Sequence, residues 1–76
     1  MDQITQDLII KAEFETDGEN QWAKFRGNKE FYIKKVDDGY LHTFAYCPED
    51  EDDSHFEEKV FENVNLAWFN DLDDEF

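Results

Sequence analysis

The uncompensated charge of this chain lies almost entirely in its second half. Residues 1–36 carry seven Asp/Glu against six Lys/Arg, whereas residues 37–76 carry fourteen Asp/Glu against Lys59 alone. Carboxylates in consecutive runs do not pack into a core, and their mutual repulsion costs folding stability. A net charge of about 2–8 in magnitude is enough to keep a small domain soluble. The excess negative charge therefore indicates a surface that binds a partner with a basic, phosphate-binding surface.

The remaining composition predicts one folded domain over residues 1–76. Its single cysteine, Cys47, cannot form an internal disulfide, and no cluster of Cys and His predicts a structural metal site. Thirteen aromatic residues supply the material for a small core, since each buries about 150–250 Å². This aromatic content argues against disorder, although the charge and the mean hydropathy of −0.89 alone would suggest it.

Alternating apolar residues predict an antiparallel sheet over residues 10–46. Ile10, Ala12 and Phe14 alternate with charged residues, which is the pattern of a half-buried strand over 10–16. Further strands are predicted over 21–26, 31–36 and 40–46. Turn residues separate them at Asp17–Asn20, Gly27–Glu30 and Asp37-Asp38-Gly39. The result is a four-stranded meander.

The second half predicts an acidic loop over 47–55, a helix over 56–72 and an acidic tail over 73–76. Phe56, Val60, Val64 and Trp68 recur at intervals of four, as they would on the apolar face of an amphipathic helix. In the alternative interpretation, Lys59–Val64 is a fifth strand and a short helix starts at Asn65. The fold expected is α+β, with the helix packed on one face of the sheet.

The sequence offers no constellation typical of an enzyme. His42 and His55 have no partnered nucleophile, and Ser54 is the only serine. The acidic run fails the pattern of an EF-hand, because neither reading frame puts glycine at the sixth position. We therefore expect no enzymatic activity, no cofactor and no dedicated metal site.

Clustered carboxylates on a rigid frame can imitate the charge of duplex DNA, which carries one negative charge per about 1.7 Å of its axis. Such a display would compete for a basic groove shaped to hold a duplex. The candidate partner-binding residues are the acids of the second half: Asp37, Asp38, Glu49, Asp50, Glu51, Asp52, Asp53, Glu57, Glu58, Glu62, Asp71, Asp73, Asp74 and Glu75. Trp22, Tyr40 or Trp68 are candidate anchors. The simpler alternative is a solvated face that confers solubility.

Together these acidic segments resemble the small DNA-mimic proteins that phages encode against DNA-binding proteins of their hosts. The resemblance is greatest to phage inhibitors of the bacterial histone-like protein HU, and it concerns composition rather than a motif. It implies a non-enzymatic inhibitor that binds a basic nucleic-acid-binding host protein. Such a protein would contact neither nucleic acid nor a membrane, and would act in the cytoplasm, the host's if it is phage-encoded.

Two further possibilities remain open at this point. An acidic immunity or antitoxin-like module would cover a basic partner without imitating DNA. A homodimer is also possible, provided that the joined surface belongs to the less charged part of the molecule.

Overall fold

The described residues form five antiparallel strands, two α-helices and one short 3-10 helix. The computed structural model describes residues 3–76, except for the side chains of Ile4 and Glu51. The elements are α1 (Gln3–Lys11), β1 (Glu15–Thr16), β2 (Gln21–Arg26), β3 (Lys29–Val36), β4 (Gly39–Tyr46), β5 (His55–Phe61) and α2 (Leu66–Glu75), with a short 3-10 helix at Glu51–Asp53. The strands lie in the sheet in sequence order. The expected α+β class with a C-terminal helix is confirmed, but the sheet has five strands instead of four.

One face of the sheet is covered, and we call it the covered face. Side chains alternate between the two faces of a strand, so Trp22, Phe31, Ile33 and Phe44 all lie on this face. The core joins them to the two helices through a set of buried residues: Ile9 and Phe14 from α1 and the segment after it, and Phe69 and Leu72 from α2. The opposite face, which we call the open face, contributes nothing to this cluster.

The predicted first strand over 10–16 is wrong for most of its length, because residues 3–11 form α1. The alternation of apolar and charged residues over 10–16 arises where this helix ends. Glu13 has a φ of 72°, and the N–H groups of Phe14 and Glu13 donate to the carbonyls of Ile9 and Ile10. This is the Schellman arrangement that ends many helices, and Ile9 and Phe14 both belong to the hydrophobic core. Glutamate occupies the left-handed position where glycine is usual, so the sequence carries no stop signal there.

The predicted helix over 56–72 is also wrong in its first half. Residues 55–61 form β5, paired with β4, and the helix begins only at Leu66. A spacing of four residues is two full periods of a strand as well as about one turn of a helix. Phe56 and Val60 therefore share the open face of β5. The alternative interpretation was closer, because it placed a fifth strand before a helix near Asn65.

The segment boundaries shift accordingly. The sheet spans 15–61 instead of 10–46, the acidic loop covers 47–54, and residues 73–75 of the predicted tail belong to α2. The three central strands lie where the sequence predicts them, and the hairpin turn at Asp37-Asp38 is confirmed. Gly39 follows this turn with a φ of 145°. A Cβ there would clash with the carbonyl oxygen of Phe61, so this close approach of β5 requires glycine.

Candidate partner-binding surface

Three of the predicted acids meet at one end of the sheet, which we call the hairpin end. Asp37 and Asp38 form the exposed turn between β3 and β4. Exposed Glu62 directly follows β5, and its Cα lies beside Gly39 because Tyr40 pairs with Phe61. The chain thus brings together carboxylates that are more than twenty residues apart in sequence.

A second group of acids lies at the opposite end, which we call the loop end. Glu49, Asp50, Asp52 and Asp53 are exposed in the connection between β4 and β5. The Asp50 carboxylate accepts a hydrogen bond from the N–H of Asp52 at 3.1 Å, which shapes the turn. Glu51 belongs to the same run, and its side chain lies outside the described residues. Eight residues of β4 separate the two ends, about 25 Å at the usual rise of a strand.

Helix α2 carries a third group, Asp71, Asp74 and Glu75, on its exposed side. Asn65 precedes the helix as its N-cap, and its side-chain oxygen accepts the N–H of Trp68 at 3.2 Å. The helix ends at the loop end, where Phe76 stacks on His55 with ring centroids 4.5 Å apart. Residues three and four apart on a helix have Cβ atoms about 5–6 Å apart, so these three carboxylates form one compact group.

Asp73 is different from the other acids of α2. Its carboxylate accepts hydrogen bonds from Lys29 Nζ at 2.7 Å and Arg26 Nη1 at 2.8 Å, and Lys29 also donates to its backbone carbonyl. The hydrogen bond from Lys29 lowers the pKa of Asp73 below its ordinary value of 3.8, and the charges of Lys29 and Arg26 add to this effect. Asp73 therefore holds α2 to the β2–β3 hairpin and is unavailable to a partner.

Glu57 and Glu58 lie on opposite faces of β5. Glu57 faces the covered side and lies 3.0 Å from Nε2 of His55. Glu58 lies on the open face, where it accepts a hydrogen bond from Thr43 at 3.2 Å. These two acids belong to neither end group.

The cations of the chain neutralise few of these acids. Among residues 3–76, leaving out the undescribed Glu51 side chain, Asp73 is the only carboxylate with an ion pair to Lys or Arg. Lys35 donates instead to the carbonyls of Val36 and Gly39, and Lys24 lies over the rings of Phe14 and Phe31. The surplus negative charge is thus left unpaired at the two ends of the sheet and along α2.

His42 has a structural role that sequence reasoning missed. It is fully buried, its Nδ1 lies 2.9 Å from the carbonyl of Tyr40, and its Nε2 accepts the N–H of Asn65 at 2.9 Å. This pattern requires the neutral ring with the proton on Nδ1. Burial lowers the pKa of His42 below its ordinary value of 6.5. The ring joins β4 to the start of α2, and no local motif announces such a long-range contact.

The proposed aromatic anchors are mostly core residues. Trp22 and Tyr40 are 7% and 8% exposed, and Trp68 is half-buried against His42 and Phe61. Burial makes Trp22 and Tyr40 unavailable as anchors. Cys47, by contrast, is exposed at the end of β4.

Across residues 3–76, apart from the Glu51 side chain, no three His, Cys, Asp or Glu side chains converge as a metal site would require. Among the same residues no helix is long and apolar enough to cross a membrane. Comparison of the chain with protein-family models, curated proteins and solved structures finds no match.

Proposed function

We propose that this protein is a DNA mimic, a non-enzymatic inhibitor whose acidic surface occupies the DNA-binding site of a basic host protein. A nucleoid-associated, HU-like protein is the favoured target, and proteins of restriction, repair or transcription are further members of the same class. The bacterial cytoplasm is the place where such a target would be met.

The proposal is supported mainly by one observation: the acidic side chains of the second half are not neutralised by basic side chains of the same chain. Apart from Asp73, the described acids of the second half are not paired with Lys or Arg, although the chain has seven such cations. Carboxylates that lack an internal partner keep their full charge available for a basic surface.

The position of the α2 acids adds a second argument. Asp74 and Glu75 lie in the last turn of the helix, which contains no basic residue. Negative charge at a helix C-terminus opposes the helix dipole and costs about 0.3–1 kcal/mol per group. Acids kept where they weaken their own helix are best explained by use outside it.

The overall dimensions suit a groove-filling ligand. The described chain measures 39 × 22 × 22 Å, and its acids lie at both ends of the sheet and along α2. Duplex DNA carries about 23 charges over such a length, against a net charge of −14 for this chain, so the proposed mimicry concerns selected phosphate positions. The contacts would come from Asp37, Asp38 and Glu62 at the hairpin end, from Glu49 and Asp50–Asp53 at the loop end, and from Asp71, Asp74 and Glu75 on α2.

A second candidate function is an immunity-type module that covers a basic partner without imitating DNA. The separation of the acids into two end groups about 25 Å apart favours it, because two basic patches on any protein could be contacted in this way. Competition with DNA distinguishes the two functions.

The test measures the fluorescence anisotropy of a labelled duplex bound to a purified HU-type protein while this protein is added. A mimic displaces the duplex. Its own affinity for the target, measured in the absence of DNA, falls as salt is increased, because charge pairing dominates the contact. A bacterial lysate passed over the immobilised protein extends the test to other targets. Capture of partners that are neither basic nor nucleic-acid-binding would contradict the proposal, and capture of a basic partner without displacement of DNA would favour the immunity-type module.

A further inference from the structure

A cleft of about 270 Å³ opens into the core on the covered face, between the segment that follows α1, strand β2 and the first half of α2. Well-packed protein interiors leave few voids larger than a water molecule. The buried rings of Phe14, Phe31 and Phe69 line the cleft. Half-buried Lys24 and exposed Asn70 line it as well. The cleft therefore has an apolar interior and a polar opening.

The ammonium group of Lys24 lies over the apolar wall of this cleft. Lys24 pairs with Phe31 in the sheet and shares its face, the covered one. Its Nζ lies 5.8 Å from the ring centroids of both Phe14 and Phe31. A charge next to apolar rings interacts more strongly with an opposite charge than it would in water, because the effective dielectric constant is lower there.

The acids nearest to Lys24 do not neutralise it. Asp73 is bound at 2.7 and 2.8 Å by two other cations of the β2–β3 hairpin, and Lys24 contributes least of the three cations that lower the pKa of Asp73. Glu13 and Glu15 border a recess that Lys24 also lines. Among the described side chains, no carboxylate forms an ion pair with Lys24. Its charge is therefore available to an anionic ligand in the cleft.

The volume and the walls of the cleft define the rest of the ligand. An apolar cavity of about 150 Å³ holds one benzene molecule, so this cleft has room for a phenyl ring, a short linker and a carboxylate. The rings of Phe31 and Phe69 are nearly perpendicular, with an interplanar angle of 86° and centroids 5.4 Å apart. A further aromatic ring fits such walls by edge-to-face or offset stacking, which is favourable beyond the area it buries.

We propose that this cleft binds a small aromatic carboxylate, whose ring enters between the three phenylalanines and whose carboxylate pairs with Lys24. The side-chain amide of Asn70 lines the same cleft and supplies a donor for the second carboxylate oxygen. The inference does not depend on the proposed function, because neither Lys24 nor Asn70 belongs to the acidic residues proposed to contact a basic target.

The net charge of −14 makes anion binding a selective readout of this site. The field of the whole protein repels anions, so a carboxylate binds better than a neutral analogue only where a local cation outweighs that repulsion. Phenylacetate and phenylethanol are suitable probes, since both join a phenyl ring through a short linker to an oxygen-containing group and only phenylacetate is charged. Their difference in affinity therefore reports the contact with Lys24.

The experiment titrates the isotope-labelled full chain with each probe at about pH 7, where the carboxylate is ionised, and follows the backbone amide resonances by NMR. Phenylacetate should bind saturably with a dissociation constant of about 1 mM, a modest affinity for a ligand of about ten heavy atoms. The largest shifts should fall at Ala12, Lys24 and Leu66, which line the cleft. Phenylethanol should bind at least about fivefold more weakly.

Charge removal at Lys24 tests the ion pair. K24M keeps an unbranched apolar stem and should weaken phenylacetate by at least about tenfold, as expected for the loss of a hydrogen bond to a charged group. Its affinity for phenylethanol should stay within about twofold of the parent value. K34M is the matched control, because Lys34 is exposed on the open face and its loss changes the net charge equally. K34M should bind both probes as the parent does.

Filling the cleft tests its location. Ala12→Leu replaces a small lining side chain by a larger one and should weaken both probes by at least about fivefold, in a variant shown to be folded by circular dichroism. The absence of saturable shifts up to about 10 mM of phenylacetate, or shifts centred outside the cleft, would overturn the proposal. Phenylethanol that binds as tightly as phenylacetate, or equal effects of K24M and K34M, would overturn it as well.

Discussion

Asp73 and Asp74 are neighbours in sequence with the same side chain, yet they serve different parts of the molecule. Asp73 points toward the sheet and binds Lys29 and Arg26, with 20% of its side chain exposed. Asp74 points outward and has no ion pair. The side chains on the inner side of α2 thus stabilise the fold, whereas those on its outer side carry charge that makes no stabilising ion pair. A substitution on one side should change stability, and on the other side binding.

The largest difference between the two sides is expected at Phe69. Its ring lies within 5.7 Å of the rings of Phe14, Phe31, His42 and Trp68, measured between centroids. Phe69→Ala should lower the free energy of unfolding by about 3–5 kcal/mol, the usual cost of removing a buried aromatic ring. Urea denaturation followed by circular dichroism measures this. Asn70→Ala, at the adjacent exposed position, is the control and should change little; equal losses would show that α2 does not pack as described.

Asp73 gives the next largest effect. Asp73→Asn removes the charge that faces Lys29, whose side chain is only 17% exposed. We expect a loss of about 1–3 kcal/mol, as for other partly buried groups deprived of their partner. Thermal or urea denaturation measures this loss of stability. Asp74→Asn is the control, and its free energy of unfolding should stay within about 0.5 kcal/mol of the parent value. Indistinguishable variants would contradict the division between the two sides of α2.

The contact of His42 with Asn65 should make stability depend on pH. The folded protein lowers the pKa of His42 below 6.5, so the unfolded chain binds a proton first as the pH falls. Stability from this group is therefore fully present above about pH 6.5 and decreases progressively below it. Urea denaturation between pH 5 and pH 8 measures the trend. His55→Gln should retain this dependence and His42→Phe should lose it; an unchanged dependence in His42→Phe would contradict the role of His42.

The smallest effect on stability is expected for the exposed acids of α2. The triple variant D71N/D74N/E75Q removes charge that repels the rest of the chain and opposes the helix dipole. Its free energy of unfolding should rise by about 0.6–2 kcal/mol, since Asp74 and Glu75 each oppose the dipole by about 0.3–1 kcal/mol. A substantial loss of stability in the same denaturation assay would mean that these carboxylates hold the fold together.

Much of the fold could be predicted because the central strands are encoded locally. Alternating apolar residues and the turns at Gly27-Asn28 and Asp37-Asp38 place β2, β3 and β4 within a few residues. The errors have specific physical causes. Glu13 takes a conformation usual for glycine, and the four-residue spacing of Phe56 and Val60 fits a strand as well as a helix. Asn65, a good N-cap before an apolar run, was the available signal for the true start of α2.

The candidate site could be predicted in part. The exposed turns and loops that carry Asp37, Asp38 and Glu49 follow from the sequence, because charged turn residues stay in water. The ion pair of Asp73 with Lys29 could not be predicted from the sequence, since it joins residues 44 positions apart. The open face could not be predicted from the sequence either, because its exposure depends on which side of the sheet the two helices cover.

The most direct test of the central claim compares the parent, D71N/D74N/E75Q and Asp73→Asn in the displacement of duplex DNA from a basic target protein. All three are measured at a temperature where circular dichroism shows them folded. The triple variant should require about tenfold more protein for half-displacement, since three exposed charge contacts are worth about 0.2–1 kcal/mol each. Asp73→Asn should displace DNA as the parent does. Displacement unaffected by the triple variant, or no displacement by the parent at low salt, would contradict the account.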